Sequence, residues 1–169
     1  MRHPIARSSI EEFTGDSQFQ WIIPEIEHGK SINDPEQIER VILCSGQVYA
    51  ALHKYRADKG FKDTAITRIE QLNPFPWQQL KENLDTYPNA KTIVWCQEEP
   101  LNAGAWSFTQ PRIETLLNQT KYHDRKHVMY AGRNPSASVA TGLKASHTKE
   151  EAELLETAFS VTQDKLKGE

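Results

Sequence analysis

TIVWCQEEPLNAGAW, residues 92–106, passes from a continuous apolar run directly into paired acids and a loop rich in Pro, Asn and Gly. The first five residues show no alternation of apolar and polar side chains, which predicts a strand covered on both faces, as in a parallel sheet flanked by helices. Glu98 and Glu99 follow at the carboxyl end of this strand, where open α/β sheets place ligands or partners. The two acids could equally be solvated loop carboxylates, and the sequence leaves both interpretations open.

Apolar runs and helical spacings alternate on both sides of this stretch. Runs that predict strands occur at residues 41–44, 65–69, 92–96 and 127–130. Helical spacing occurs at residues 48–60, from Pro76 towards Tyr87, around residues 113–117, and after a capping box of Thr148 and Glu151, where Ala152, Leu155, Ala158 and Phe159 form the expected buried stripe. Residues 132–147 are predicted to be a loop. The alternation predicts an α/β fold with a mostly parallel sheet of four or five strands flanked by helices.

Length, charge and cysteine usage restrict the class of protein. The chain has 169 residues, which suits one domain with a hydrophobic core. A net charge of −3 with scattered Lys and Arg argues against a nucleic-acid partner. Since no run of about 18 apolar residues occurs, we expect no membrane span. Cys44 and Cys96 lie in predicted strands without a CxxC partner, so we expect small buried hydrophobes.

The chain divides into three predicted parts. Residues 1–38 carry many Pro and Gly breakers and are expected to form an extended N-terminal arm, in which Ser9 and Glu12 could cap a short helical turn. Phe19, Trp21 and the two isoleucines that follow are apolar enough to need burial, either against the core of this chain or against a neighbouring domain. Residues 39–161 form the predicted α/β domain, and residues 162–169 form a charged tail.

Familiar catalytic and cofactor motifs are missing from the sequence. It contains no GxGxxG, Walker, GxSxG or HExxH pattern, and its six histidines are dispersed. Two loops carry candidate chemistry. In the first, Glu98 and Glu99 could act as bases, hold a cation or pair with arginines of another subunit. In the second, the donors Arg133, Ser136, Ser138, Thr141, Lys144 and His147 precede a helix, which favours either an anion site or a serine-rich connector.

Three segments in the same order carry a resemblance to a known family. They are AITRIEQLNPFPW at residues 65–77, YPNAKTIVWCQEEPLNAGAWSFTQPR at residues 87–112 and MYAGRNPSASVATG at residues 129–142. These closely resemble the C-terminal region of the 2-oxoglutarate dehydrogenase first component, and their amino-acid sequences are most similar to those of fungal mitochondrial members. The RHPIARSSIEEF arm is similar to the segment that precedes this domain in the family. The resemblance therefore covers nearly the whole chain.

The resemblance implies a transketolase-type C-terminal domain that packs a dimer and borders the active-site cleft. In that family thiamine diphosphate and magnesium are held by preceding domains, so we expect no cofactor, metal or catalytic residue in this fragment, and no activity of the fragment alone. The implied partners are the remaining domains of the dehydrogenase chain, a homodimer partner and, indirectly, the lipoyl succinyltransferase component. The implied location is the mitochondrial matrix.

The resemblance also assigns expected roles to the two loops. Glu98, Glu99, Asn102 and Trp106, with Gly104, match a family loop where we expect inter-domain or dimer contacts. Arg133, Ser136, Ser138 and Lys144 match a region that the actinobacterial branch associates with acetyl-coenzyme A regulation, although this sequence departs from that branch there.

Three functions follow from these observations. A structural and assembly domain predicts exposed apolar patches around Phe19, Trp21 and Trp106. The alternative, a free-standing regulatory module for acetyl-coenzyme A or another anion, predicts a closed surface with one basic pocket. A small hydrolase that uses Glu98 or Glu99 with a histidine is the third.

Overall fold

Strands and helices alternate along the chain in the computed structural model, which describes residues 9–162. The strands are β1 (Ile22–Ile23), β2 (Arg40–Cys44), β3 (Thr64–Ile69), β4 (Thr92–Pro100) and β5 (Val128–Arg133). The helices are α1 (Val48–Lys59), α2 (Trp77–Asp85), α3 (Trp106–Leu117) and α4 (Lys144–Ser160). Two short 3-10 turns, Ile10–Phe13 and Pro35–Gln37, lie in the arm. Among the described residues, none of the helices combines the length and the apolar character needed to cross a membrane.

The five strands form one sheet in the order β1-β3-β2-β4-β5. Strand β2 pairs in parallel with β3 and β4, and β4 pairs in parallel with β5. Only β1 runs antiparallel, along the edge of β3. The predicted α/β fold with a mostly parallel sheet is confirmed, and it has the architecture of a transketolase C-terminal domain.

Both faces of the sheet are covered, as the unbroken apolar runs predicted. Along β2, Val41 and Leu43 face a cluster that includes the helices α2 and α3, whereas Ile42 and Cys44 face a cluster that includes α1 and α4. In β4, Trp95 belongs to the first cluster and Val94 to the second. A strand buried on both sides cannot alternate apolar with polar residues, which explains the pattern of the sequence.

Cys44 and Cys96 lie side by side on the two central strands. They are register partners in β2 and β4, and both side chains are fully buried and unbonded to each other. Burial raises the pKa of the Cys96 thiol to about 12 and that of the Cys44 thiol well above its usual range. The prediction that both cysteines are small buried hydrophobes is confirmed.

Several boundaries differ from the sequence-based expectation. Strand β5 continues to Arg133, so the predicted loop begins at residue 134 and not at residue 132, and helix α3 already begins at Trp106. Strand β4 continues to Pro100, so Glu98 and Glu99 lie in the strand and not in a loop. Helix α4 begins at Lys144, and the loop therefore ends at Leu143, whose extended backbone marks the helix start. The predicted capping box at Thr148 is wrong, because the Thr148 hydroxyl donates back to the Lys144 carbonyl inside the helix at 3.1 Å.

The reason for the early start of α4 lies in its composition. Lys144 is followed by residues that all tolerate a helix, and neither Pro nor Gly occurs before the helix ends at Ser160. The buried stripe also differs in one position. Leu155, Ala158 and Phe159 are buried as predicted, but Ala152 is exposed and Leu154 takes its place in the core.

The arm is partly held by the sheet and partly exposed. Its predicted cap is present, since the Ser9 amide donates to the Glu12 carboxylate at 2.7 Å. Phe19 and Trp21 are 68% and 44% exposed, so the chain's own core does not cover them. Farther along, Ile32 and Ile38 belong to the core. The division between arm and domain at residue 38, and the tail from residue 162, stay predictions, and the tail beyond residue 162 lies outside the described part of the chain.

One buried ion pair fixes the arm to the sheet. Arg56 of α1 contacts the Glu25 carboxylate through both terminal nitrogens, with side-chain exposures of 3% and 1% for the arginine and the acid. Glu25 also accepts a hydrogen bond from the Ile66 amide of β3 at 3.0 Å. Burial opposes ionisation of this carboxylate, but Arg56 and the surrounding amides outweigh it and lower the Glu25 pKa. This pair was not predicted from the sequence.

Candidate functional site

The candidate site lies at the carboxyl ends of the parallel strands. Because β2 has β3 on one side and β4 on the other, the chain reverses its direction of travel across the sheet there, and a crevice opens outside the strand ends. A cleft of about 420 Å³ occupies this edge, lined by Gln47, Glu98, Glu99, Arg133, Val139, Ala140, Thr141, His147, Glu151 and Leu154. The two loops that the sequence selected therefore meet at one cleft.

Gln97 organises the end of β4. This buried side chain accepts hydrogen bonds through Oε1 from the Trp95 indole at 3.0 Å and from the Trp106 amide at 2.9 Å. Its Nε2 lies within 2.8–3.3 Å of the carbonyls of residues 99, 100 and 103. One amide thus fixes the turn that joins β4 to α3. The sequence signal for this role is a polar residue directly after a buried run, but only the acids that follow it were predicted to be functional.

Trp106 and Tyr130 form the aromatic wall beside Gln97. Their ring centroids lie 5.1 Å apart, and both rings are half-buried against the core. The Tyr130 hydroxyl lies 3.2 Å from the Glu99 carbonyl and 3.1 Å from the Arg133 carbonyl, and burial raises its pKa to about 12. A Cβ added at Gly132 would lie 2.2 Å from this hydroxyl oxygen, so the close approach requires glycine.

Glu98 and Glu99 are exposed neighbours on an extended strand. They lie in the part of β4 where the register with β5 is irregular, between Cys96 and Pro100, and both line the cleft. The Glu98 carboxylate accepts a bond from the Gln47 amide at 3.3 Å. Glu99 packs beside Gly104, where an added Cβ would lie 2.9 Å from the Glu99 Cβ and the backbone φ is +65°. These acids leave their charges at the rim of the cleft.

The Arg133 guanidinium makes polar contacts with three residues of this chain. Its Nε donates to the Glu98 carbonyl at 2.7 Å, one terminal nitrogen contacts the Glu150 carboxylate at 3.1 Å, and the other donates to the Val139 carbonyl. The side chain is 11% exposed. The guanidinium therefore holds β4, α4 and the loop together, and its charge faces a carboxylate of the same domain.

Asn102 joins the two predicted loops. Its side-chain amide donates to the Ser136 carbonyl at 3.0 Å, and its oxygen accepts from the Ser136 amide at 3.0 Å. Ser138 closes a smaller turn by donating to the Ala140 carbonyl at 2.8 Å. Lys144 is exposed as the first residue of α4. The structure thus unites Asn102 with Ser136 and Glu98 with Arg133, while Lys144 stands apart.

These contacts fix the carboxyl ends of β4 and β5 with Glu98, Glu99, Asn102 and Arg133, which we call the polar edge. Glu98 and Glu99 lie at its rim. Within residues 9–162, no group of three or more His, Cys, Asp and Glu side chains is placed to hold a metal ion. The anion role of Arg133, Ser136, Ser138 and Lys144 and the contact role of Glu98, Glu99, Asn102 and Trp106 stay predictions.

The sheet order and this polar edge define the chain as an α/β domain of the transketolase C-terminal class. Comparison of the sequence with known families gives a more specific result. The family described as 2-oxoglutarate dehydrogenase C-terminal matches residues 7–159, and the chain belongs to this family.

Relatives from fungi and bacteria are similar over almost the whole chain. A mitochondrial 2-oxoglutarate dehydrogenase of Saccharomyces cerevisiae is 56% identical over 160 residues, and one of Schizosaccharomyces pombe is 54% identical over 160 residues, each covering 94% of this chain. A 2-oxoglutarate dehydrogenase E1 component of Haemophilus influenzae is 42% identical over 95% of the chain. The chain spans 16% of the length of each of these relatives. The predicted family and the likeness to fungal members are confirmed.

Proposed function

We propose that the chain serves as the C-terminal structural and assembly domain of a 2-oxoglutarate dehydrogenase first component. In this role it packs a dimer and borders the active-site cleft, while other domains carry out the oxidative decarboxylation of 2-oxoglutarate and the transfer of the succinyl group to lipoyl groups. The observation that carries the proposal is the 56% and 54% identity to two fungal enzymes over 94% of the chain.

The surface of the chain supports an assembly role. The arm exposes the large apolar side chains of Ile10, Phe13, Phe19 and Trp21, and a group of exposed apolar side chains is typical of a contact with other protein. Trp106, which the hypothesis also placed in an exposed patch, packs instead on Tyr130 and the core. The aromatic part of the contact surface therefore belongs to the arm, and Trp106 packs beneath the polar edge as part of the interior.

The polar edge supplies a second contact surface in the proposal. Glu98 and Glu99 lie exposed at the carboxyl ends of the strands, and Asn102 and Gln97 fix the backbone on which the two acids stand. Charged side chains held on a rigid backbone direct a partner into one register. We assign Glu98 and Glu99 to contacts with another domain or subunit, in which basic side chains would meet them.

Cofactor, partners and location follow from the same family membership. Thiamine diphosphate and magnesium would be held by the other domains, because the arginine of this edge faces Glu150 and the cleft rim carries carboxylates that repel a diphosphate. The partners would be those other domains, a second subunit and, indirectly, the lipoyl succinyltransferase component. The mitochondrial names of the fungal relatives support a place in the mitochondrial matrix.

A chimaera tests this proposal. The matching region of the Saccharomyces cerevisiae enzyme is replaced by this chain, and subunit association, thiamine diphosphate affinity and turnover are measured. We expect an assembled, active chimaera in which the double variant Glu98→Gln/Glu99→Gln weakens association by about tenfold, with cofactor affinity changed by less than about twofold. Glu82→Gln, an exposed acid on α2, is the matched control and should change neither.

The opposite pattern would refute the assignment. If the double variant loses cofactor affinity while the subunits still associate, the edge belongs to the cofactor site. Titration of the isolated chain with acetyl-coenzyme A, thiamine diphosphate and magnesium addresses the alternative of a regulatory module. The geometry gives that alternative little support, because Arg133 already bonds Glu98, Val139 and Glu150.

A further inference from the structure

A cavity separate from the candidate cleft lies at the amino ends of the parallel strands, at the opposite edge of the sheet. Arg40 is the first residue of β2, and its register partners, Thr64 and Thr92, are the first residues of β3 and β4. The cavity has a volume of about 300 Å³, and its lining includes these three residues together with Phe61 and Phe159. This volume is at the lower end of the range for ligand pockets, so an occupant must be a small molecule.

Arg40 lines this cavity from a fixed position. Side chains alternate along a strand, so Arg40 lies on the same face of β2 as Ile42, which faces α1 and α4. One terminal nitrogen of Arg40 donates to the Val161 carbonyl at 2.8 Å and lies 3.4 Å from the Ala158 carbonyl, at the end of α4. Within residues 9–162, its Nε and its second terminal nitrogen donate to no acceptor. The guanidinium is therefore held in place with N–H groups left for a carboxylate.

Asp63 supplies the opposite charge in the same cavity. Its half-buried carboxylate accepts a hydrogen bond from the Thr64 hydroxyl at 3.3 Å and forms no ion pair with a described residue. Burial lowers the pKa of Arg40 and the Asp63 carboxylate acts in the opposite direction, so the two charges are near each other although they form no contact. Glu39 and Lys91 also line the cavity, but they are exposed and pair with each other at 2.9 Å. Within the described part of the chain, Arg40 and Asp63 are thus the two charges of this cavity without a partner of opposite sign.

Two phenyl rings form an apolar wall of the cavity. The ring centroids of Phe61 and Phe159 lie 4.9 Å apart with their planes inclined by 24°, and the Tyr55 ring lies 5.2 Å from that of Phe159. Phe159 is almost fully buried, whereas Phe61 is half-buried. This stack joins the segment after α1 to the last turn of α4, beside the two unpaired charges. A complementary ligand therefore carries a carboxylate, an ammonium group and an apolar part.

We propose that this cavity binds a free α-amino acid with an apolar side chain. In the complex, the α-carboxylate accepts hydrogen bonds from the unused N–H groups of Arg40, the α-ammonium donates to Asp63, and the side chain packs against Phe61 and Phe159. Such a ligand pairs both charges and brings no net charge into the cavity. A ligand with a single charged group leaves either Arg40 or Asp63 without a partner, which costs binding free energy. This inference concerns the edge opposite the cleft and does not rest on the proposed function.

Calorimetric titration of the whole chain with three probes tests the proposal. L-Phenylalanine carries both charges, hydrocinnamate lacks the ammonium group, and phenethylamine lacks the carboxylate. We expect L-phenylalanine to bind at least about tenfold more tightly than either of the other two probes, because each of those leaves one charge of the cavity unpaired. No binding of L-phenylalanine, or similar affinities for all three probes, would overturn the proposal.

Asp63→Asn assigns the binding to this cavity. Asparagine can still accept the hydrogen bond of the Thr64 hydroxyl, but it lacks the charge that pairs with an ammonium group. We expect the affinity for L-phenylalanine to fall by about fivefold or more, with no loss of affinity for hydrocinnamate. Asp124→Asn, at an exposed acid between α3 and β5, is the matched control and should change neither affinity. An unchanged affinity for L-phenylalanine in Asp63→Asn would contradict the proposal.

If Asp63→Asn does not fold, amide chemical shifts of the unaltered chain decide. L-Phenylalanine should shift the NMR signals of residues 39–41 and 61–64, which surround the cavity. Shifts confined to the residues of the candidate cleft would overturn the proposal, because the amino acid would then bind at the other edge of the sheet.

Discussion

Two arginines hold two irregular segments at opposite ends of the same sheet, in different ways. Arg56 fixes the arm beside β3 through a carboxylate that is almost completely buried, whereas Arg133 fixes the loop of residues 134–143 beside β5 through two carbonyls and a partly exposed carboxylate. The arm adds Ile32 and Ile38 to the core, but residues 134–140 are all exposed. The difference teaches that apolar burial anchors the arm, while the loop is held by hydrogen bonds and by the ion pair of Arg133 with Glu150.

Exposure decides how strongly each arginine should matter. A buried charge that loses its partner keeps its full desolvation penalty, whereas a group near water can be hydrated instead. The arm should therefore fail together with the fold, and the loop should loosen while the sheet remains. The following predictions test this contrast, beginning with the largest effect.

The largest effect is expected from Arg56→Met. The variant leaves the Glu25 carboxylate buried without its positive partner, so the free energy of unfolding should fall by about 3–5 kcal/mol in urea titrations. The double variant Glu25→Leu/Arg56→Met removes both charges and should recover much of this loss. A single variant within about 1 kcal/mol of the unaltered chain would mean that burial does not set the strength of this anchor.

A smaller effect is expected from acid. The Glu25 pKa is lowered in the folded chain from its ordinary value of 4.5, so the folded state binds the proton less readily than the unfolded state. The stability that this carboxylate contributes is complete above pH 4.5 and is lost as the pH falls through the lowered folded value. The stability difference between the unaltered chain and Glu25→Gln should shrink in that range. A difference that stays constant across it would exclude the ion pair as the cause.

The smallest effect on global stability is expected from Arg133→Gln. The loop loses its bonds to Val139 and Glu150, so amide hydrogen exchange in residues 134–143 should accelerate, while the free energy of unfolding falls by about 1 kcal/mol or less. Lys144→Gln changes an exposed lysine at the end of the same loop and is the matched control. If loop exchange is unchanged in Arg133→Gln, Asn102 alone suffices to hold Ser136.

The sequence was sufficient to predict the sheet because its strands are local features. Each run of four or five apolar residues is long enough to show that both faces are covered, and helices separate the runs. The start of α4 was missed, since a stretch of polar residues that tolerates a helix looks the same as a loop. The end of β4 was missed because Glu98 and Glu99 interrupt the apolar pattern, in a segment where the pairing with β5 is irregular and resumes only at Pro100, opposite Arg133.

The contacts that fix the site were harder to predict, because they join residues distant in sequence. Glu25 and Arg56 are 31 positions apart, and Asn102 and Ser136 are 34 positions apart. No periodicity links such pairs, since only the folded sheet brings them together. Composition was enough to identify the candidate loops. It could not show that the loops bond to each other, or that Arg133 bonds to residues of its own domain.

The placement of the two cysteines allows the opening of the sheet to be measured without an added probe. The chain contains no thiols other than Cys44 and Cys96, and both lie fully covered on the central pair of strands. A thiol reagent can reach them only after β2 and β4 lose their cover, so the rate of alkylation counts openings of the core and ignores motion of the arm or the loop. An added label is unnecessary, because the native chain already carries two buried thiols on its central pair of strands.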